Sequence, residues 1–444
     1  MRRDKRRGRS RKKGGTPRLP SEPVTLTVGS LGAQGDGLSK KDGQMYYLPM
    51  TVPGEKVTAK VVAKRGDGWR CSVTKIETAS DNRVEAPCPY YGTCGGCTLQ
   101  HIKDTTYNSW KRDLVATALK RQGLSPKIAD LQTVSLGSRR RATFEALMTA
   151  DGAIVGFNQR LGKQVIDIDT CLLMVPGLSA LLPALKDAIA SFAKPGERGD
   201  IAINMSETGP DLTFIWPGGL ERKRLEALSD FADSQDIARV SWRDPDDHVP
   251  ELVVQRRAAV LSFGKAAVEL PAAAFLQPSK EGELMLAEAV LAGLDGTPKK
   301  IADLYAGCGS FTVPLAETGA HVTAVEGAAL QISALETGAG RADLGGRITG
   351  IERDLTRQPL GVKELNKFDV VVFDPPRAGA KEQAENLAKS DVPTIIGVSC
   401  NPATFARDAR LLVDGGYELQ GVTPIDQFPY TGHMEVVGVF KRTE

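Results

Sequence analysis

The sequence predicts a mixed α/β protein. A doubly wound parallel sheet whose last strand runs antiparallel fills the C-terminal part, behind a small N-terminal β-barrel and a mixed α+β central region. Three observations lead there. After Lys300, short apolar runs alternate with helical segments in regular succession. The last two apolar runs, "ELQGVTPI" and "EVVGVFKR", are joined by a segment too short for a crossover, so they must be antiparallel neighbours. Before residue 80, apolar residues recur with period two between glycine-rich breaks.

The chain begins with ten Arg or Lys among residues 1–18 against Asp4 alone, a charge of +9 that leaves −6 for the rest of a chain whose total is +3. Such a segment has no core of its own. It suits binding nucleic acid by phosphate neutralisation, a membrane surface or plain solvation, and it lacks the apolar centre of a signal peptide, so a cytoplasmic protein is expected. No apolar run approaches the roughly 18 residues of a membrane span. Leu172 to Phe192, the most apolar stretch, is interrupted by Pro176, Pro183, Lys186 and Asp187 and reads as surface helices.

Residues 24–80 follow, with Val24, Leu26 and Val28 alternating with threonines, and "EKVTAKVVAK" repeating the pattern after Pro53-Gly54. A barrel of this size is the economical reading. Cys88, Cys94 and Cys97 then form a C-x5-C-x2-C group, with Cys171 remote in "VIDIDTCLLM". Zinc and an iron-sulfur cluster both accept four thiolates, and three close cysteines plus one distant cysteine suit the cluster better than paired zinc knuckles do. Cys71 and Cys308 are left without a role. The segment "DTTYNSWKRDLVATALKRQG" reads as a helix ended by Gly123, with Leu114, Ala118 and Leu119 on one face. From about 130 to 275 the texture is mixed, with the basic triplet Arg139, Arg140 and Arg141 and strand candidates at Asp211 to Trp216 and Leu252 to Arg256.

In a parallel sheet, ligands sit beyond the carboxyl ends of the strands. Gly307 and Gly309 follow the first strand, Glu326 ends the second, Asp354 the third, Asp374 the fourth and Cys400 the fifth. Glu435 begins the reversed last strand, which places it on the same edge. The loop "DLYAGCGSF" allows close backbone approach, and an acidic residue after the next strand takes ribose hydroxyls. A third glycine is missing, since Thr312 stands there, which favours S-adenosylmethionine over a dinucleotide. In "VVVFDPPRAG", Asp374 leaves a strand into a stiff Pro375-Pro376 turn.

A cysteine, a methyl donor and a separate base in one cleft suit methylation of uracil C5. A thiolate added at C6 makes C5 nucleophilic, and a base must then remove the C5 proton. Cys400, the glycine loop with Glu326, and Glu435 supply these parts.

The ordered motifs "AFLQPS", "DLYAGCGSFTVPLA", "VEG", "DPPRAG", "SCNPATFARD" and "FPYTGHMEVV" resemble the RNA uracil-5 methyltransferase family, over nearly the whole chain after the basic segment. The resemblance implies a Rossmann-like class I methyltransferase sheet at 98–129 and 273–444, an OB-like TRAM barrel that binds RNA at 21–80, and a central iron-sulfur domain at 81–97 and 130–272, after a basic tail at 1–20. It implies Cys400 as nucleophile and Glu435 as base. It implies Gln277, Tyr305, Ser310, Glu326, Asp354 and Asp374 around S-adenosylmethionine, and Cys88, Cys94, Cys97 and Cys171 around a [4Fe-4S] cluster. Ser310 and Asp354 stand where members often carry asparagine. Ribosomal RNA is the first expected substrate, most specifically 23S rRNA, with tRNA as the alternative; neither a membrane nor an obligate protein partner is expected. Competing readings are methylation of another base or of protein, and a non-catalytic RNA-binding or ribosome-assembly factor.

Overall fold

The structure is a computed structural model that describes residues 19–247 and 249–443. The basic segment 1–18 lies outside the described residues. The chain divides into two compact units, ending and beginning at Val84 and Glu85.

The first unit is a six-stranded sheet of β1 (Val24–Thr27), β2 (Ser30–Leu31), β3 (Gly37–Lys41), β4 (Gln44–Leu48), β5 (Lys56–Arg65) and β6 (Gly68–Thr78), ordered β1-β5-β6-β4-β3-β2. The period-two alternation places Val57, Ala59 and Val61 of β5 on the core with Leu26, Val28, Leu48 and Cys71. Asp42 and Gly43, both with positive φ, close the β3–β4 hairpin in the two-residue turn whose twist matches that of the strands. Register shifts along β5–β6 bend this long pair.

The second unit opens with the cysteine segment, followed by α1 (Asp104–Arg121), β7 (Lys127–Ile128) and β8 (Gln132–Thr133). Helix α1 buries Tyr107, Trp110, Lys111, Val115 and Leu119, so its inner face is rotated by about one residue from the Leu114, Ala118 and Leu119 face expected. Gly123, at φ +71°, follows the helix end.

Seven strands form the central sheet. They are β9 (Arg141–Thr149), β10 (Gly152–Asn158) and β11 (Val165–Asp167), then, after the helices α2 (Pro176–Ala180) and α3 (Leu182–Phe192), β12 (Arg198–Ser206) and β13 (Gly209–Ile215), and, after α4 (Arg222–Ser234), β14 (Arg239–Arg243) and β15 (Glu251–Gln255). Their order is β11-β10-β9-β12-β13-β14-β15. Only β13 and β14 pair in parallel, because α4 carries the chain back between them. The stretch expected as surface helices is instead core. Leu182, Leu185, Ile189 and Phe192 are buried, each such side chain contributing about 1.5–3 kcal/mol on leaving water. The prolines fall at α2 and α3 N-terminal positions, where a missing N–H costs nothing.

A hairpin of β16 (Val260–Phe263) and β17 (Ala266–Glu269) leads to α5 (Lys280–Ala292), capped by Ser279, whose hydroxyl accepts from Gly282 N–H at 3.0 Å. The chain then alternates through β18 (Lys300–Leu304), α6 (Thr312–Glu317), β19 (His321–Glu326), α7 (Ala329–Arg341), β20 (Ile348–Glu352), α8 (Val362–Leu365), β21 (Val370–Phe373), α9 (Lys381–Ala388), β22 (Thr394–Ser399), α10 (Pro402–Asp414), β23 (Tyr417–Asp426) and β24 (Glu435–Arg442). The order is β20-β19-β18-β21-β22-β24-β23-β7, with β8 also paired to β23. Strands β18 to β22 are parallel, and β24 runs antiparallel to both its neighbours. Both faces are covered, which is why these strands are continuously apolar. Ile301, Val372 and Ile396 pack on one face with residues of α5, α6 and α7, while Leu304, Val371 and Ile395 pack on the other with residues of α1, α9 and α10. Among the described residues, no helix is long and apolar enough to cross a membrane.

Candidate active site

The carboxyl edge of the nine-stranded sheet collects the polar residues. After β18 the chain turns sharply, with Tyr305 at φ +65°, Gly307 at +56° and Gly309 at +107°. The N–H groups of Tyr305 and Ala306 both donate to the Val325 carbonyl, at 2.9 and 3.2 Å. A side chain at position 309 would meet Leu335 at 2.5 Å, so close packing of α7 demands glycine there. At the end of β19, Glu326 accepts the Gly307 N–H at 3.1 Å on one oxygen and the Ala328 N–H at 3.0 Å on the other. One carboxylate thereby ties two loops together. Beneath the loop, Asp303 is fully buried and accepts the Thr312 hydroxyl at 2.6 Å; burial pushes its carboxyl up to about 7.

Asp374 leaves β21 beside Gln277, whose side-chain N–H donates to it at 3.4 Å. Gln277 in turn accepts from Gln427 at 3.1 Å. Desolvation raises the Asp374 carboxyl to about 7. The stiff turn after it is fastened to the next strand end, since Asn401 and Thr404 donate to the Arg377 carbonyl at 3.3 and 3.4 Å.

Cys400 follows β22, half-buried. Its neighbour Asn401 caps α10, accepting the Ala403 N–H at 3.1 Å, and Pro402 fills the first helical position. Burial pushes the Cys400 thiol up to about 11, and the carboxyls of Glu435 and Asp374 add to the rise. Glu435 is itself buried and held well above the usual carboxylate range by burial and by Asp374, against the pull of Arg141. The thiol and two carboxyls thus share one corner, each ion disfavouring the next.

The other expected ligand contacts are placed less uniformly. Tyr305 lines the glycine turn, and burial raises its phenol to about 12. Ser310 donates to Glu283 at 3.2 Å, and Glu283 pairs with the buried Arg140 at 2.8 Å. The Asp354 carboxylate turns into its own loop, accepting from the Thr356 hydroxyl at 2.5 Å and the Thr356 N–H at 3.0 Å, and pairing with Arg357 at 3.3 Å. Those bonds hold it below the usual carboxylate range.

Arg140, Arg141, Glu283 and Gln427 stand at this site without a motif that marks them in the sequence. The basic triplet was the visible signal for the arginines; the other two carried none.

The expected cysteine site is corrected. Among the described residues, no group of three or more His, Cys, Asp or Glu side chains is arranged to hold a metal ion. The iron-sulfur and metal-binding expectation placed on Cys88, Cys94, Cys97 and Cys171 is therefore not supported. All four are free thiols. Cys94, Cys97 and Cys171 lie near enough to other cysteines of the set for their ionisation to be disfavoured. Cys88 N–H donates to Gln100 at 3.2 Å, Cys94 sulfur accepts from Gly96 N–H at 3.4 Å, and burial raises Cys97 to about 12. Sequence spacing gave proximity without a convergent ligand geometry.

The family model described as tRNA (Uracil-5-)-methyltransferase matches residues 350–443, which carry Asp374, Cys400 and Glu435. A Mesorhizobium japonicum protein described as an uncharacterized RNA methyltransferase is 41% identical over 94% of this chain and 98% of its own length. A Pectobacterium atrosepticum protein, named 23S rRNA (uracil(1939)-C(5))-methyltransferase RlmD, is 29% identical over 95% of this chain and 94% of its own. The fold is that of the Pyrococcus abyssi tRNA (uracil-54, C5)-methyltransferase solved with S-adenosyl-L-homocysteine, with a TM-score of 0.72 and 22% identity, over 94% of this chain and 99% of that one. With the glycine turn, the thiol and the paired carboxyls on one sheet edge, and relatives matched along almost its whole length, the chain belongs to the RNA uracil-5 methyltransferase family, whose members are S-adenosylmethionine-dependent enzymes.

Proposed function

We propose that this enzyme methylates C5 of a uridine in 23S rRNA through a covalent bond between Cys400 and C6 of the base. The observation that carries this reading is the corner shared by Cys400, Asp374 and Glu435, where burial raises the proton affinity of all three and neighbouring carboxyls add to the rise at Cys400 and Glu435. Cys400, once deprotonated, adds to C6, and the electron pair released into the ring makes C5 nucleophilic. Bound S-adenosylmethionine would supply the methyl group that C5 takes up, the broken methyl–sulfur bond leaving its electron pair on sulfur as S-adenosylhomocysteine. Glu435 then takes the C5 proton, the C5–H electrons restore the ring double bond, and the C6–S electrons return to Cys400. A carboxylate with raised proton affinity suits that last task.

The donor-binding set of Gln277, Tyr305, Ser310, Glu326, Asp354 and Asp374 fits the ligand. At Gly307 a Cβ would find nothing nearer than 3.6 Å, so the loop has an open side. Glu326 spends one lone pair per oxygen on backbone N–H groups and keeps others for ribose hydroxyls. Asp354 would have to leave Arg357 to join them.

The domain reading keeps residues 98–129 with the catalytic part. In support, Val115 and Leu119 of α1 share a core with Phe405 and Ala409 of α10, and β7 pairs with β23; β8, also paired with β23, carries that sheet a few residues past position 129. Residues 81–97 and 130–272 form the central part, and 21–80 form an OB-like, RNA-binding TRAM barrel. The relative named for 23S rRNA supports that substrate over tRNA.

The test is methyl transfer from labelled S-adenosylmethionine to transcribed 23S rRNA and tRNA, followed by nucleoside mass analysis. A 5-methyluridine product in 23S rRNA that disappears in Cys400→Ala is expected. Transfer to tRNA alone rejects the substrate, and a methyl group on any other atom rejects the chemistry.

A further inference from the structure

Glu435 stands at the end of the loop 427–434, which joins β23 to β24. One buried side chain of a distant helix grips that loop at both ends. Lys111 of α1, with no exposed surface, donates to Asp426 at 2.8 Å and to the Phe428 carbonyl at 3.5 Å, where the loop begins. Its third bond goes to the His433 carbonyl, two residues before Glu435. An ammonium has three donors; here all three serve this segment.

One helical turn earlier, Tyr107 repeats the grip. Its hydroxyl donates to the other Asp426 oxygen at 2.6 Å and accepts the Tyr430 N–H at 2.8 Å. Asp426 also accepts the Phe428 N–H at 3.0 Å. Tyr430 holds φ +62°, an uncommon conformation for a side chain of that size, and its carbonyl accepts from Thr98 N–H at 2.8 Å. The adjacent Gln427 reaches Gln277 at 3.1 Å, and so Asp374. A charge pair buried this fully is weak evidence for stability, since apolar replacement is often as stable. Fixing the register of the loop is a function it does serve.

We propose that Lys111 and Asp426 are a positioning pair that sets the Glu435 carboxyl for removal of the C5 proton. The inference rests on the proposed role of Glu435. It predicts an unequal effect on the two halves of the reaction: loosening the pair leaves thiol addition and methyl transfer largely intact, and slows the proton removal that frees the RNA.

The test is single-turnover reaction of the full chain with labelled S-adenosylmethionine and transcribed 23S rRNA or tRNA, whichever the unsubstituted enzyme methylates, with covalent complex followed on denaturing gels. Lys111→Met strands the Asp426 charge, so Lys111→Met/Asp426→Asn is compared with it; asparagine keeps an acceptor for Tyr107 and leaves no unpaired ion. The double variant, with its fold checked by circular dichroism, is expected to form the complex within about threefold of the normal rate and to resolve it about tenfold to a hundredfold more slowly, as misplacement near the reacting atoms does. Equal slowing of both steps, or of neither, overturns the inference. Glu435→Gln is run beside it. If that variant clears its complex normally, the role of Glu435 is wrong; if it accumulates complex and the Lys111 variants do not, only the positioning pair is wrong.

Discussion

The side-chain amide of Gln277 donates to the Asp374 carboxylate at 3.4 Å, joining the segment before α5 to the end of β21. Its own oxygen is held by Gln427, so the amide has one orientation that satisfies both partners. Replacing it by Gln277→Leu keeps the bulk and removes the donor. Because an ordinary hydrogen bond is worth about 0.5–1.5 kcal/mol, kcat/KM should fall about twofold to tenfold. Steady-state methyl transfer measures this, and an unchanged value would show that Asp374 needs no partner there.

Asp374 also makes stability depend on pH. Its carboxyl titrates near 7 in the folded chain and near an ordinary aspartate value, about 3.9, in the unfolded one. The folded state therefore holds the proton more tightly. Its stabilising contribution is complete below about pH 4 and is lost as pH rises through 7. Asp374→Asn should raise the melting temperature at pH 8 and leave it unchanged near pH 4. Thermal melts across that range decide it, and a destabilised variant at pH 8 contradicts the raised proton affinity.

The thiol of Cys400, pushed up to about 11, should be sluggish in the free enzyme, since the thiolate is the reactive form. Iodoacetamide should label it slowly at pH 7, with the rate climbing towards pH 11. Asp374→Asn and Glu435→Gln remove neighbouring negative charge and should bring the curve to lower pH. Peptide mass analysis separates Cys400 from the other thiols. A fast, pH-independent reaction at pH 7 speaks against a neutral resting thiol.

At Gly309, φ is +107° and an added Cβ would lie 2.5 Å from Leu335. Gly309→Ala should cost about 1–3 kcal/mol and weaken S-adenosylmethionine binding. Gly346→Ala, with nothing within 4 Å, is the matched control and should be near neutral. Urea unfolding and equilibrium dialysis report the two effects.

The grouping of the candidate residues on one edge was legible because a parallel sheet converts sequence order into position. Once strands ended at Leu304, Glu326, Phe373 and Ser399, their following residues had to share one side, and the short connection to Glu435 brought it there too. Residue type misled in two places. Lys111 looks like a solvent-facing charge on an amphipathic helix, yet its ammonium is buried because Asp426, hundreds of positions away, waits for it. Leu172 to Phe192 looked too interrupted for core, but its prolines fall where helices begin. Arg140 and Glu283 meet through a contact between segments with no shared period. The cysteine spacing, read as a ligand set, described a neighbourhood only.

The C-terminal strand is inserted between β22 and β23 rather than added at an edge. During synthesis, which proceeds from the N-terminus at about 5–20 residues per second, every other strand of that sheet is made before the one that belongs in the middle. Until β24 arrives, β22 and β23 face a gap, with the apolar sites for Val436, Val437 and Phe440 unfilled. Glu435 arrives with the same strand, so Cys400 is made before the carboxyl that shares its corner. Without that strand, β22 and β23 would border an open, sticky slot in the middle of the sheet.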